Sequence, residues 1–171
     1  MTVHMFTELP AEARVWIYGA ERALARGEVR ALEAHMDRFL AEWRSHGRAI
    51  EPAWRLEHDR FLIIGVDERA MSLSGCSIDS MFRTVEDFGK TTGLSFSRSG
   101  NRVFYRDAGD IRCVDRPGFA ELARQGSVNE ETVVFNNTVA TAGELRSGLW
   151  EVPMRDSWHL KAFGKSLLPS G

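Results

Sequence analysis

The sequence predicts an α+β protein with a ferredoxin-like core of β-α-β-β-α-β order and a small α/β C-terminal extension. Two stretches with apolar residues at helical spacing separate short apolar or alternating runs that predict strands. The first and third of these strands are also the most apolar, and those two are the central strands of a ferredoxin-like sheet. The expected boundaries are residues 1–106 for the core, 107–160 for an extension packed on it, and 161–171 for a loose tail.

The first half of the core contains a strand, a helix and a hairpin. RVWIYGA at residues 14–20 is rich in aromatic and β-branched residues, which favour strands. Apolar side chains recur at helical spacing over Glu28–Arg44, and Gly47 is a typical stop for that helix. WRLEHDR at 54–60 alternates apolar and polar residues and predicts an edge strand. FLIIGV at 61–66 predicts a strand buried on both faces.

The second half of the core needs one more helix and one more strand. Apolar residues between Ile78 and Phe88 form one helical face, and the helix is expected to end near Gly89. A strand at Val103–Arg106 then completes the core. Beyond it, DAGD predicts the turn of a hairpin, PGFAELARQG a short helix and ETVVF another strand.

Composition excludes several classes of function. The net charge is −2 and the pI about 6.2, so no basic field favours nucleic acid or an anionic membrane. No apolar run approaches the ~20 residues of a membrane span, and MTVHMFTELP lacks the features of a signal peptide. We therefore expect a cytoplasmic protein in which Cys76 and Cys113 are free thiols.

No motif indicates a metal or a nucleotide cofactor. The sequence has neither a Cys-x-x-Cys pair nor an HExxH motif. DFGKTTG contains Gly-Lys-Thr, but Thr84 stands where a P-loop needs its first glycine. The segment also closes a predicted helix instead of opening one, so it offers no cradle for phosphates. We therefore expect no metal and no cofactor.

Three polar clusters are candidates for a functional site. Asp67 and then SLSGCSIDS, with Ser74, Gly75, Cys76, Ser77 and Asp79, follow the buried strand and open the second helix. Asn136 and Asn137 follow the ETVVF strand, and Trp158 and His159 end WEVPMRDSWH. Each cluster also has a structural interpretation: serines and Asp79 cap helices, Asn-Asn pairs form turns, and cysteine is often buried.

Three functions fit these clusters. The first is a binding or regulatory protein, in which the N–H groups of Gly75–Asp79 hold a small anionic ligand or a partner peptide and Asn136, Asn137 and His159 give direction. The second is a cysteine-dependent enzyme with Cys76 as nucleophile, His159 as base and Asp79 or Asn137 as orienting group. The third is a structural or oligomerisation domain whose exposed edge strand, around Trp54 to Asp59, pairs with a second copy of itself. His35, His46 and His58 are expected to have no specific role.

Six motifs together, ARVWIY, WRSHG, FLIIGVDE, SGCSID, TVVFNN and WEVPMRDSWH, resemble a family of small bacterial proteins that often carry the label "ABC transporter ATPase". The resemblance covers residues 8–160. It implies a shared site that includes Asp67, Cys76, Ser77, Asp79, Asn136, Asn137, Trp158 and His159. It does not imply ATP hydrolysis, because this sequence has no Walker A motif.

Overall fold

The computed structural model describes residues 6–98 and 101–169. Its strands are β1 (Arg14–Ala20), β2 (Arg44–Ser45), β3 (Arg48–Ala49), β4 (Pro52–Glu57), β5 (Phe61–Val66), β6 (Phe96–Ser97), β7 (Arg102–Asp107), β8 (Asp110–Asp115), β9 (Val133–Phe135) and β10 (Glu151–Pro153). Its α-helices are α1 (Arg26–Glu42), α2 (Gly75–Thr92), α3 (Arg116–Arg124), α4 (Ala142–Arg146) and α5 (Trp158–Phe163). Helices and antiparallel sheets together confirm the α+β class.

The first sheet has the strand order β4-β5-β1-β6, and all neighbours are antiparallel. Its two central strands are the two apolar runs, and every residue of β5 is buried. The alternating strand β4 lies at an edge, as its pattern predicts. Strand β5 is covered on both faces. Its carboxyl end leads into the loop before α2.

The second sheet has the order β10-β9-β7-β8. The strand expected at Val103–Arg106 forms within β7, but its assignment to the first sheet was wrong. Ala108 and Gly109 have φ values of 49° and 90° and form a two-residue turn. The turn joins β7 to β8, and the two strands pair over all their residues. The expected boundary at residue 106 falls inside this hairpin. The two-residue strand β6 takes the fourth place in the first sheet.

The molecule has four layers, which are α1 with α2, the first sheet, the second sheet, and α3 with α5. An apolar cluster lies between each pair of neighbouring layers. Alternate residues of β1 and β5 face α1 and α2 on one side, with Tyr18 and Leu62 among them. On the other side Ile17 and Phe61 face the second sheet, from which Phe104 and Phe135 point back. Val103 and Phe119 belong to the third cluster, where α3 and α5 cover the outer face of the second sheet.

Gly19 in β1 lies against the ring of Phe104 from the second sheet. A Cβ atom at this position would collide with the ring of Phe104. The Phe104 ring also lies 5.1 Å from that of Phe61, in an edge-to-face arrangement. A glycine near the end of β1 therefore lets an aromatic side chain of the second sheet enter the layer between the two sheets.

Two expectations about segment ends were wrong. Helix α2 continues past Gly89 to Thr92 and ends at Gly93, which has φ 70°. Gly89 is needed inside the helix because a Cβ there would lie 2.5 Å from the carbonyl oxygen of Leu94. Residues 161–167 are not a loose tail: Phe163 in α5 is buried and packs 4.9 Å from Phe119.

Within the described ranges, no helix has both the length and the apolar character needed to cross a membrane.

Candidate functional site

A groove of about 470 Å³ lies where the end of α1, the β2–β3 hairpin and the first turn of α2 meet. One wall is aromatic, from Phe39 and Trp43, whose rings lie 5.4 Å apart. The remaining lining residues are polar or charged: Glu42, Arg44, His46, Ser74, Cys76, Ser77 and Ser80. We call this cavity the α2 groove.

The start of α2 is locked to the end of α1 by hydrogen bonds. Ser74 is the N-cap, and its Oγ accepts a bond of 3.1 Å from the N–H of Ser77. The Ser77 hydroxyl donates to the Arg44 carbonyl at 2.7 Å. The Trp43 indole N–H donates to the Ser77 carbonyl at 2.9 Å. Ser74 and Ser77 therefore have structural roles, and the helix start that they form is rigid.

The hairpin that borders the groove is fixed through Ser45. Its hydroxyl donates to the Ser72 carbonyl at 3.2 Å and accepts from the Ser74 N–H at 2.9 Å. The hairpin turn is His46-Gly47, with φ values of 50° and 76°. This turn places His46, an exposed side chain, in the lining of the same groove as Cys76.

Two backbone donors lie at the first turn of α2, one on the lining residue Cys76 and one on the preceding Gly75. The exposed residues Gly75 and Cys76 are the first two of α2, and no acceptor among residues 6–98 and 101–169 binds their N–H groups. The positive end of the helix dipole is at this point, and Arg44 adds a full charge. Glu42 is the one carboxylate among the lining residues, and its negative charge repels an anion. Asp79 lies nearby in the helix but is exposed and outside the lining.

The two cysteines have different environments. Both are free, but Cys76 is exposed at the groove whereas Cys113 is half-buried in β8. Burial raises the pKa of the Cys113 thiol, although the charges of Arg102 and Arg60 act in the opposite direction. Reagents in water therefore reach Cys76 more easily than Cys113.

His159 lies on the other side of the molecule from Cys76. It belongs to α5, in the layer outside the second sheet, whereas Cys76 begins α2, in the layer outside the first. Its ring stacks on that of Trp158, with centroids 3.9 Å apart, and its Nδ1 lies 2.7 Å from the Ser157 hydroxyl oxygen. Burial, followed by the nearby Arg116 charge, lowers the pKa of His159 to about 4. Since both sheets separate the two residues, the predicted pairing of Cys76 with His159 was wrong.

The remaining candidates also lie outside the groove. Asn137 Oδ1 accepts from the Trp150 indole N–H at 2.8 Å, and Asn136 Oδ1 accepts from the Thr138 N–H at 3.2 Å, so both amides shape the turn after β9. Trp158 packs beneath the Arg116 guanidinium, whose central carbon lies 5.2 Å from the ring centroid. The structure does not bring these three residues to Cys76.

Asp67 belongs to the loop that leads from β5 to α2. The Arg69 side chain and backbone N–H both donate to its carboxylate, and these bonds hold the pKa of Asp67 below its usual value. The next residue, Glu68, accepts from the Leu73 N–H at 3.0 Å. Asp67 therefore helps to shape the approach to the groove without lining it.

Sequence reasoning missed six of the lining residues: Phe39, Glu42, Trp43, Arg44, His46 and Ser80. Phe39, Trp43, Arg44 and His46 were assigned to a helix and its end, because apolar spacing and basic residues before Gly47 suit that interpretation. The available signal was WRSHGRA, in which His46-Gly47 is a two-residue turn between short pairing segments. A hairpin there brings the end of α1 beside the start of α2.

No protein-family model, curated protein or solved structure significantly matches this chain. Among the described residues, no group of three or more His, Cys, Asp or Glu side chains could hold a metal ion.

Proposed function

We propose that this protein binds a small anionic ligand in the α2 groove. The observation that carries the proposal is that Cys76, whose backbone N–H has no acceptor among the described residues, and the charged Arg44 line the same cavity. The Gly75 N–H, which also has no acceptor there, is adjacent to this lining. Backbone N–H groups at a helix start and a guanidinium are the donors that carboxylates and phosphates prefer.

The shape of the groove supports a small molecule over a peptide. A volume of about 470 Å³ is within the range of small-molecule sites. The Phe39 and Trp43 rings offer an apolar face beside the donors, so the expected ligand joins an oxyanion to a flat or apolar group. The hydrogen bonds around Ser74 and Ser77 pre-form the site, which lowers the entropy cost of binding.

Cys76 provides a local readout of ligand occupancy. A ligand in the groove should slow alkylation of Cys76 by iodoacetamide, while the half-buried Cys113 serves as an internal reference. The probes are a panel of aromatic carboxylates and phosphate monoesters, and mass spectrometry counts the modified thiols. Arg44→Gln should abolish the protection, and Arg48→Gln, in the same hairpin but outside the lining, should preserve it.

The proposal fails if no member of the panel protects Cys76. It fails equally if Arg44→Gln and Arg48→Gln weaken protection to the same extent, since that result would indicate a diffuse charge effect instead of a site.

A second candidate is a thiol-dependent activity in which His46, instead of His159, assists Cys76. The shared groove and the exposure of the free thiol favour it. His46→Asn keeps a residue that tolerates the left-handed turn, and His58→Asn is a matched control because His58 is also exposed with φ 54°. If His46 assists, only His46→Asn should change the pH profile of Cys76 alkylation. Identical profiles in all three proteins would contradict this role.

We also propose that the first sheet with α1 and α2 is a ferredoxin-like core. With the β2–β3 hairpin set aside as an insertion, the element order is β1-α1-β4-β5-α2-β6. This order and the strand order β4-β5-β1-β6 support the assignment. Membership of the bacterial family described above and a cytoplasmic location are proposals of the same kind. The two free cysteines support a reducing compartment.

Self-association is a separate proposal. Within the described residues β4 pairs with β5 alone, which leaves its other edge for a second copy of the chain. Light scattering at high protein concentration tests this, and a monomer mass would contradict it.

A further inference from the structure

A second cavity, of about 380 Å³, lies between α2, β6 and the start of β7. It shares no lining residue with the α2 groove. Its lining is mostly polar: Phe82, Glu86, Ser95, Phe96, Ser97, Arg98, Asn101 and Arg102. We call it the β6 pocket.

Two positive charges in the β6 pocket have no carboxylate partner. In the part of the chain that the structure describes, neither Arg98 nor Arg102 forms an ion pair. The Arg98 guanidinium lies over the Phe82 ring, 4.8 Å from its centroid, so its position is fixed by a cation-π contact. Glu86 is the single lining carboxylate, which leaves the pocket with a net positive charge.

A buried hydroxyl lies behind this pocket. Tyr18 in β1 is 1 % exposed, and its hydroxyl oxygen has no hydrogen-bond partner among the described residues. Its ring packs against Phe82, with centroids 6.3 Å apart. Burial raises the pKa of Tyr18 to about 12, and the charge of Arg98 opposes that shift. A buried hydroxyl without a partner is costly, and an added acceptor would remove that cost.

We propose that the β6 pocket is a second binding site, for a compact oxyanion of the phosphate or carboxylate class. Arg98 and Arg102 supply the opposite charge, and guanidinium groups pair with such anions through two parallel hydrogen bonds. The Asn101 amide and the hydroxyls of Ser95 and Ser97 are further donors in the lining. Tyr18 does not line the pocket, but its ring packs on the lining residue Phe82, and its unpartnered hydroxyl would become a further donor if the anion reaches behind that ring.

Inorganic phosphate is the probe, and the protein is the full chain with the Arg44→Gln substitution. This substitution removes the contribution of the α2 groove to the measured binding. Isothermal titration calorimetry at constant ionic strength should give saturable binding with one site. Arg98→Gln and Arg102→Gln should each weaken the affinity by about tenfold, the usual size of a charge-assisted contact. Tyr18→Phe, which preserves the ring, should weaken it by about threefold to tenfold.

Arg83→Gln is the matched control, because Arg83 is exposed on α2 and outside both cavities. Its affinity should stay within about twofold of the parent. No saturable binding up to about 20 mM phosphate, or an equal loss in Arg83→Gln, would overturn the proposal. Circular dichroism of each variant shows whether lost binding follows from lost folding. Failure here leaves the Cys76 protection experiment unaffected, since the two sites have separate readouts.

Discussion

Helices α2 and α5 both begin after a serine, but their first turns have different environments. Ser74 caps α2 by accepting from the Ser77 N–H, and the residues that follow it, Gly75 and Cys76, are exposed. Ser157 precedes α5 without capping it, because its hydroxyl is paired with His159 Nδ1. A serine before a helix therefore indicates a helix start in both cases, whereas the tertiary layer decides whether that start is exposed beside a groove or forms part of the core.

The largest expected effect is that of pH on stability, through His159 at the buried start of α5. His159 has a pKa of about 4 in the folded protein against about 6.5 when unfolded, so the unfolded chain binds the proton more tightly. Stability should be independent of this group above pH 6.5 and should fall as the pH drops toward 4, by about 3 kcal/mol in total. Urea unfolding between pH 4 and pH 7 measures the change.

His159→Leu is the control, because leucine cannot bind the proton. The variant should lose this part of the pH dependence. An unchanged dependence would show that His159 is not buried as the structure has it.

The next largest effect is the loss of stability when Ser157 or Ser74 is replaced by alanine. Ser157→Ala removes the partner of His159 Nδ1, while His159 Nε2 is already buried without a partner among the residues that the structure describes, so a cost of about 2 kcal/mol is expected. Ser74→Ala removes an N-cap next to solvent, at a cost of about 1 kcal/mol. The free energies of unfolding at pH 7 check the order, and a larger loss from Ser74→Ala would reverse the comparison.

The smallest effect is expected at the exposed thiol. Cys76→Ser should change the free energy of unfolding by less than about 0.5 kcal/mol, because the side chain is exposed and contributes no cap. Cys113→Ser places a hydroxyl in a half-buried position facing the layer between the sheets, and should cost more. Equal losses would mean that Cys76 packs more tightly than its exposure indicates.

Much of the fold could be predicted because its signals are local. The period-two and fully apolar runs located β4 and β5, and the spacing of Ile78, Met81 and Val85 located α2. The hairpin of β7 and β8 was also predictable, from the DAGD turn. The sheet to which β7 belongs was not, because its own residues suit either sheet, and its pairing with β9 places it in the second one.

The candidate site was predicted only in part. SGCSIDS was correctly placed at a helix start after the central strand. The residues expected to lie beside it came from polar motifs far along the chain. A sequence shows that two motifs are polar, but it does not show whether they are close in space. The structure instead brings Arg44 and His46 to Cys76, and it places His159 and Asn137 in other layers.

The sequence by itself determined the helix start at Ser74, the buried strand before it and the exposed edge of β4, since capping, burial and alternation depend on residues close in the chain. Only the tertiary structure decided which side chains share a cavity. That choice depends on how α1, the β2–β3 hairpin and two sheets pack together, and such packing joins residues far apart in the chain.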